Sequence, residues 1–373
     1  MRIDPVALTQ QLVRVPSVSG TPGEQEILWL IADRLRDADF VVHEDDAAPQ
    51  RFLLAATATA ADGPVLLIVC HVDTVPVGDP ASWARDPFSG DAAGGRIWGR
   101  GASDMKSGLA AALVALLQSG PRGSPAALLL TTAEEVGCLG ATAATDDLAG
   151  LDVAALLVPE STDNRVVLGH RGALWLDLVA RGVAAHGSTP QLGANALLAM
   201  ARSLVDIDAR LPRGPGESIL GPTTINVGTM AAGTAPNVVP DRATATVDIR
   251  FAGANEPAVI QSWLASSHPH LEVTTALVVE RLLSTPDSAW IRSLPADLAE
   301  PPSVNYFTDA AVLASLFPAA PVAIWGPGQP DLAHVRDESV RIAQINAAVE
   351  MYGTALAAWP GSASGTESTK GPL

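Results

Sequence analysis

The chain has 373 residues, 48% apolar and only 17% charged, with a mean hydropathy of +0.24. At ~150 residues per domain that length suggests two domains, and so apolar a composition excludes wholesale disorder. Asp and Glu total 40 against 23 Lys and Arg, a net charge of −17. No nucleic-acid partner is expected, because a phosphate backbone would be repelled.

Cys70 and Cys138 both sit in apolar surroundings and read as reduced core thiols of a cytoplasmic protein. The first twenty residues lack the apolar core of a secretory signal, and no apolar stretch approaches the ~18 residues of a membrane span, so neither is expected.

Helices are expected over 4–14 and 23–38, the second opened by Thr21-Pro22. The apolar runs 65–70, 126–131 and 154–158 suit strands buried on both faces, as in a helix-covered sheet. Between the first two, the Ala/Leu-rich stretch 107–118 reads as a buried helix. That order predicts an α/β fold with an open, doubly wound, mostly parallel sheet.

Past residue 170 the pattern changes. A strand over 173–180 precedes a helix over 193–211, strands over 223–230 and 242–251, a helix over 255–266 and a strand over 271–279. The order β-α-β-β-α-β is that of a ferredoxin-like α+β sandwich. A further core strand follows at 322–325. The expected organisation is one discontinuous domain from 1–169 and 283–360, an inserted domain over 170–282, and a low-complexity flexible tail over 361–373.

Each buried run leads to residues that suit metals or proton transfer. The first ends in His71-Val72-Asp73, the second runs on to Glu134-Glu135, and the third is followed by Pro159-Glu160. In open α/β sheets ligands bind beyond the carboxyl ends of the strands, so one edge receives all of these groups. Asp104, in a Gly-rich turn before the 107–118 helix, reaches the same edge, and His334 follows Gly326-Pro327-Gly328. Taken singly, each has an ordinary explanation as a surface or capping residue. Together they make a mixed His/Asp/Glu set without Cys, which suits a hydrolytic Zn²⁺ site.

These segments resemble the co-catalytic zinc aminoacylase/carboxypeptidase family, which includes acetylornithine deacetylase, succinyl-diaminopimelate desuccinylase, aminoacylase and glutamate carboxypeptidase. The resemblance runs through His71–Pro76, Gly99-Arg100-Gly101-Ala102-Ser103-Asp104, Glu134-Glu135, Pro159-Glu160, His186-Gly187-Ser188, Asn237-Val238-Val239-Pro240, Asp248-Ile249-Arg250, Thr308-Asp309 and Gly326–Gly328 with His334. It implies two divalent ions, Zn²⁺ first with Co²⁺ or Mn²⁺ as alternatives. His71 and Glu160 would hold one and Glu135 and His334 the other, with Asp104 bridging and a cis peptide at Asp104-Met105. Asp73 would hold the imidazole of His71, and Glu134 would be the general base toward attacking water. Glu134 and Glu135 can both face the site only from an irregular loop, since neighbours on a strand point oppositely. The inserted domain would be a lid and dimerisation domain, His186 stabilising the oxyanion in the partner of a homodimer. Arg250 and Asn237 would bind the substrate carboxylate, and Thr308 and Gly328 would line the pocket.

The implied function is metal-dependent removal of an N-acyl group from an amino acid, as in acetylornithine deacetylase; a dipeptidase or glutamate-type carboxypeptidase is the alternative. Tyr306-Phe307 stands where relatives usually carry glycines, a departure that bears on substrate contacts. A metal-free ligand-binding relative would show a damaged ligand set, whereas all five ligands and the base are present. No phosphate-binding GxxxxGK[ST] loop and no GxSxG elbow occurs.

Overall fold

The computed structural model describes residues 3–45, 50–61, 63–214 and 219–360; the tail expected over 361–373 lies outside them. In chain order the principal elements are helices α1 (Pro5–Val13) and α2 (Pro22–Asp37), strands β1 (Val41–Asp45), β2 (Phe52–Ala56) and β3 (Val65–His71), helix α3 (Ser107–Ser119), and strands β4 (Ala126–Thr131) and β5 (Val153–Val158). Then follow β6 (Gly172–Arg181), α4 (Ala196–Arg210), β7 (Thr224–Ala232), β8 (Arg242–Phe251), α5 (Glu256–Ser267) and β9 (Leu271–Val279). The chain closes with α6 (Ala310–Leu316), β10 (Val322–Ile324) and α7 (Ile342–Ala358).

Two compact units result. Among the described residues the first gathers those of 3–169, 283–304 and 308–360, and the second those of 170–282 with 305–307.

The first unit holds a six-stranded sheet ordered β1-β2-β4-β3-β5-β10. Pairing is parallel from β4 through β10 and antiparallel at β1-β2 and β2-β4, so the fold is mixed α/β with a mostly parallel centre. Every residue of β3 and β4 is buried, as continuous apolar runs require when helices cover both faces. Helix α3 is buried all round from Ser107 to Leu116, and its alanines let neighbouring elements approach closely. It ends at Gly120, whose φ of +79° only glycine adopts freely.

Parallel register brings the carboxyl ends of the central strands level. His71 pairs with Thr131 across β3-β4, and Ile324 with Val158 across β5-β10. All the chemistry-bearing segments therefore leave the sheet at one edge.

The second unit is a four-stranded antiparallel sheet ordered β7-β8-β6-β9. Leu174, Leu176 and Leu178 alternate inward from β6 onto Met200, Leu204 and Ile207 of α4 and Ile260 and Leu264 of α5. The 193–211 helix begins only at Ala196, because the Asn195 side chain caps it at the Leu198 N–H and the preceding residues form a short turn at Pro190–Leu192.

Candidate metal centre

Two groups of possible ligands share one residue. His71, Asp104 and Glu160 form the first and Asp104, Glu135 and His334 the second, each with donor atoms within 4.8 Å of one another. Asp104 divides its carboxylate between them: Oδ1 lies 3.1 Å from His71 Nε2 and Oδ2 3.1 Å from His334 Nε2. Glu160 Oε1 stands 3.4 Å from His71 Nε2, and Glu135 Oε2 3.0 Å from His334 Nε2.

Local structure explains the convergence. Asp104 lies in an irregular helical turn, Ala102–Lys106, rather than a simple Gly-rich loop, and its peptide to Met105 is cis. Glu338 anchors that turn: its carboxylate accepts the N–H groups of Gly101, Ser103 and Asp104 and pairs with Arg100 at 2.6 Å. At the start of α3 a Cβ on Gly108 would sit 1.8 Å from the Pro159 carbonyl, so only glycine lets the helix pack against the segment carrying Glu160. Gly326 and Gly328 bring the last loop against Glu160 and Ser103 in the same way.

The donor set fits dications. His71 Nδ1 lies 3.0 Å from the backbone oxygen of Asp73, which only accepts, so in the neutral ring the Nε2 lone pair faces two carboxylates. Converging acceptors need a cation or a proton between them. The protein groups show the same demand: burial, with the charge of Asp104, pushes Glu160 up to about 8, and the same two causes raise Glu135. Hydrogen bonds to Asp104 and Glu135 push His334 up to about 10. A bound dication removes the proton from each of these sites.

Glu134 belongs to neither group. It is buried beside them, burial raises its carboxyl well above the usual range, and its Oε1 has no hydrogen-bond partner. Both glutamates lie on an irregular turn after β4, with Ala133 at φ +56°.

Asp73 meets the His71 ring at Nδ1 through two atoms, its backbone oxygen at 3.0 Å and its carboxylate Oδ1 at 3.5 Å. The carboxylate also accepts the N–H groups of Glu134 at 3.1 Å and Glu135 at 3.3 Å, and the Ser19 hydroxyl at 2.7 Å.

Thr308 is buried in the first unit, next to Asp309, whose carboxyl accepts from the Thr131 hydroxyl and is pushed up to about 6 by burial. Gly328, at φ +93°, accepts the Asp163 N–H. His186, Asn237 and Arg250 belong to the second unit. His186 is exposed, its Nδ1 accepts the Ser188 N–H at 3.1 Å, and Asn237 accepts the Gly187 N–H through its backbone oxygen. Arg250 pairs with Asp248 at 2.9 Å and lies 5.4 Å over the Phe307 ring, against which Trp175 packs edge-on. Sequence reasoning missed Glu24 and Glu338, and it named Asp309 beside Thr308 without giving it a role. Glu24 accepts backbone N–H groups, Glu338 adds the Arg100 pair to its three N–H groups, and Asp309 holds the Thr131 hydroxyl. For Glu24 the Thr21-x-x-Glu24 spacing was a signal; for Glu338 there was none.

A mixed α/β domain with an aspartate shared by two His/Glu pairs at its carboxyl edge defines a candidate two-metal hydrolase. The model of peptidase family M20/M25/M40 matches residues 67–358, and the chain belongs to that family. It is a hydrolase acting on amide bonds. It is 32% identical over 378 residues to succinyl-diaminopimelate desuccinylase of Cereibacter sphaeroides, covering 94% of this chain and 98% of that one. The enzyme of the same name from Paracoccus denitrificans is 37% identical over 266 residues, covering 68% of each chain. Among solved structures, an M20 family metallo-carboxypeptidase from Sulfolobus solfataricus superposes with a TM-score of 0.79 at 16% identity, covering 96% of this chain and 99% of that one. A dinuclear metal-binding peptidase from Bacillus subtilis gives 0.68 at 14% identity, covering 95% and 96%. Among the described residues no helix is long and apolar enough to cross a membrane.

Proposed function

We propose that the chain is an N-acyl amino acid deacylase, with N-succinyl amino acids as the first substrates to consider. The observation that carries this reading is the shared Asp104, one oxygen toward each His/Glu pair, with Glu134 buried beside both groups and part of neither. The names of these two curated relatives supply the acyl group.

His71, Asp104 and Glu160 would hold one ion and Asp104, Glu135 and His334 the other; two imidazoles with carboxylates suit Zn²⁺, with Co²⁺ or Mn²⁺ as substitutes. When bound, such ions polarise the amide carbonyl and acidify water. Glu134 takes the proton of the attacking water and passes it to the departing amine. Its burial favours this role by making the carboxylate a stronger base. Asp73 holds the turn that aims Glu134. Arg250, assisted by Asn237, binds the free carboxylate of the amino acid as a two-pronged donor, and Thr308 and Gly328 line the pocket.

The second unit acts as lid and dimerisation domain. Because Ser188 N–H donates to His186 Nδ1, the neutral ring carries its proton on Nε2 and donates there to the developing oxyanion. In the homodimer His186 of one protomer serves its partner's site. Edge strand β7, exposed along nearly its whole length with Val227 and Met230 uncovered, supports pairing of two copies. Buried, unpaired Cys70 and Cys138 suit the reducing cytoplasm.

Amine release from N-succinyl, N-acetyl and N-carbamoyl amino acids and from dipeptides, with Glu134→Ala as control, tests the reading. Cleavage confined to N-acyl amino acids supports it; cleavage of dipeptides alone overturns it in favour of a peptidase.

A further inference from the structure

The spacing Thr21-Pro22-Gly23-Glu24 at the start of α2 has the form of a helix capping box, in which the glutamate reaches back to a backbone N–H. One oxygen of Glu24 reaches back one residue beyond the cap, accepting the Gly20 N–H at 2.8 Å. A cap of this kind works on the surface and needs only that oxygen. Yet Glu24 is only 5% exposed, and its other oxygen accepts the N–H of Ala133, 109 residues away, at 2.9 Å.

Ala133 immediately precedes Glu134 and holds a left-handed backbone, uncommon for any residue but glycine. The four successive N–H groups of this turn are tied down by three separate parts of the fold. Thr132 donates to the Arg51 carbonyl, Ala133 to Glu24, and Glu134 and Glu135 to Asp73. Without Glu24, the Ala133 N–H is left without an acceptor in a buried setting, and the peptide joining Ala133 to Glu134 is free to turn.

We propose that Glu24 is a positioning residue for Glu134, holding the turn from helix α2 through the backbone of Ala133. The inference rests on Glu134 as the general base. It adds a third anchor from an element that contributes nothing to the ligand groups.

Hydrogen exchange of the full chain, followed by mass spectrometry, tests the brace without reference to turnover. In Glu24→Ala the peptide spanning 132–138 is expected to exchange at least ~10-fold faster, while the β3 and β4 core stays protected. Unchanged exchange in that peptide, or equal acceleration throughout the first unit, overturns the proposal. Kinetics of the cobalt-loaded enzyme on its best substrate from the amine-release panel give the second readout. Glu24→Ala is expected to lower kcat by roughly 10-fold or more with KM within about twofold, and Glu24→Gln, which keeps one acceptor oxygen, to recover part of the loss. Added to Glu134→Ala it should cost less than about twofold further, since the group it aims is gone. A fully additive loss overturns the proposal. Undiminished activity of Glu134→Ala would instead strike the general-base reading, leaving exchange to judge the brace.

Discussion

The carboxylate of Asp73 accepts the backbone N–H of Glu134 at 3.1 Å, tying the end of β3 to the turn that follows β4. His71 and Glu134 are thereby held by one residue, through its backbone oxygen and its side chain respectively.

Replacing Asp73 by alanine should therefore strand the buried N–H of Glu134, at about 1–3 kcal/mol, and the partly buried N–H of Glu135. The expected outcome is a lower urea midpoint and a kcat reduced by at least about 10-fold. Asp73→Asn, which retains one acceptor oxygen, should fall between. Wild-type kcat in Asp73→Ala would refute the assignment.

Glu338 makes a buried pair with Arg100 and accepts three N–H groups around Asp104. Removing one partner of such a pair typically costs about 3–5 kcal/mol. Glu338→Ala should be strongly destabilised and should bind less than two equivalents of zinc at a concentration that saturates the wild type. Equilibrium unfolding and metal analysis after gel filtration measure the two effects, and full occupancy would exclude any hold on Asp104.

Arg250 pairs with Asp248 and stacks on Phe307. For Arg250→Ala a KM raised by about 10-fold or more is expected for substrates with a free α-carboxylate, with little change for their amides. Equal losses on both would count against carboxylate binding.

His170 is fully buried, and burial holds its pKa down at about 4 against 6.5 for an ordinary histidine. Between those values the unfolded chain takes up a proton that the folded chain refuses, so stability falls as pH falls through this window. The contribution reaches at most about 3 kcal/mol at the acid end. Chemical unfolding at pH 7.5 and pH 4.5 should show a smaller pH-dependent loss for His170→Gln than for the wild type. Identical losses would place the acid sensitivity elsewhere.

Much of the architecture is legible in residue order. Short continuous apolar runs at β3, β4 and β5 announce strands covered on both faces, because both sets of alternating side chains must leave water. The switch to alternation at β6 announces a sheet covered on one face. Residues following the strand ends, from His71 to Glu160, were readable as one cluster because parallel strands deliver their carboxyl ends to a single edge.

What the chain order could not disclose is which group serves which. Residue types alone determined that His, Asp and Glu side chains meet at that edge. Only the folded chain decided that Asp73 turns its carboxylate to the Glu134–Glu135 backbone, that Glu338 secures the turn carrying Asp104, and that Glu24 reaches across to Ala133. Those acceptors answer N–H groups left unpaired where the ladder stops. Such groups carry no mark in sequence, since every residue but proline has one, and their partners are chosen by proximity in the packed structure.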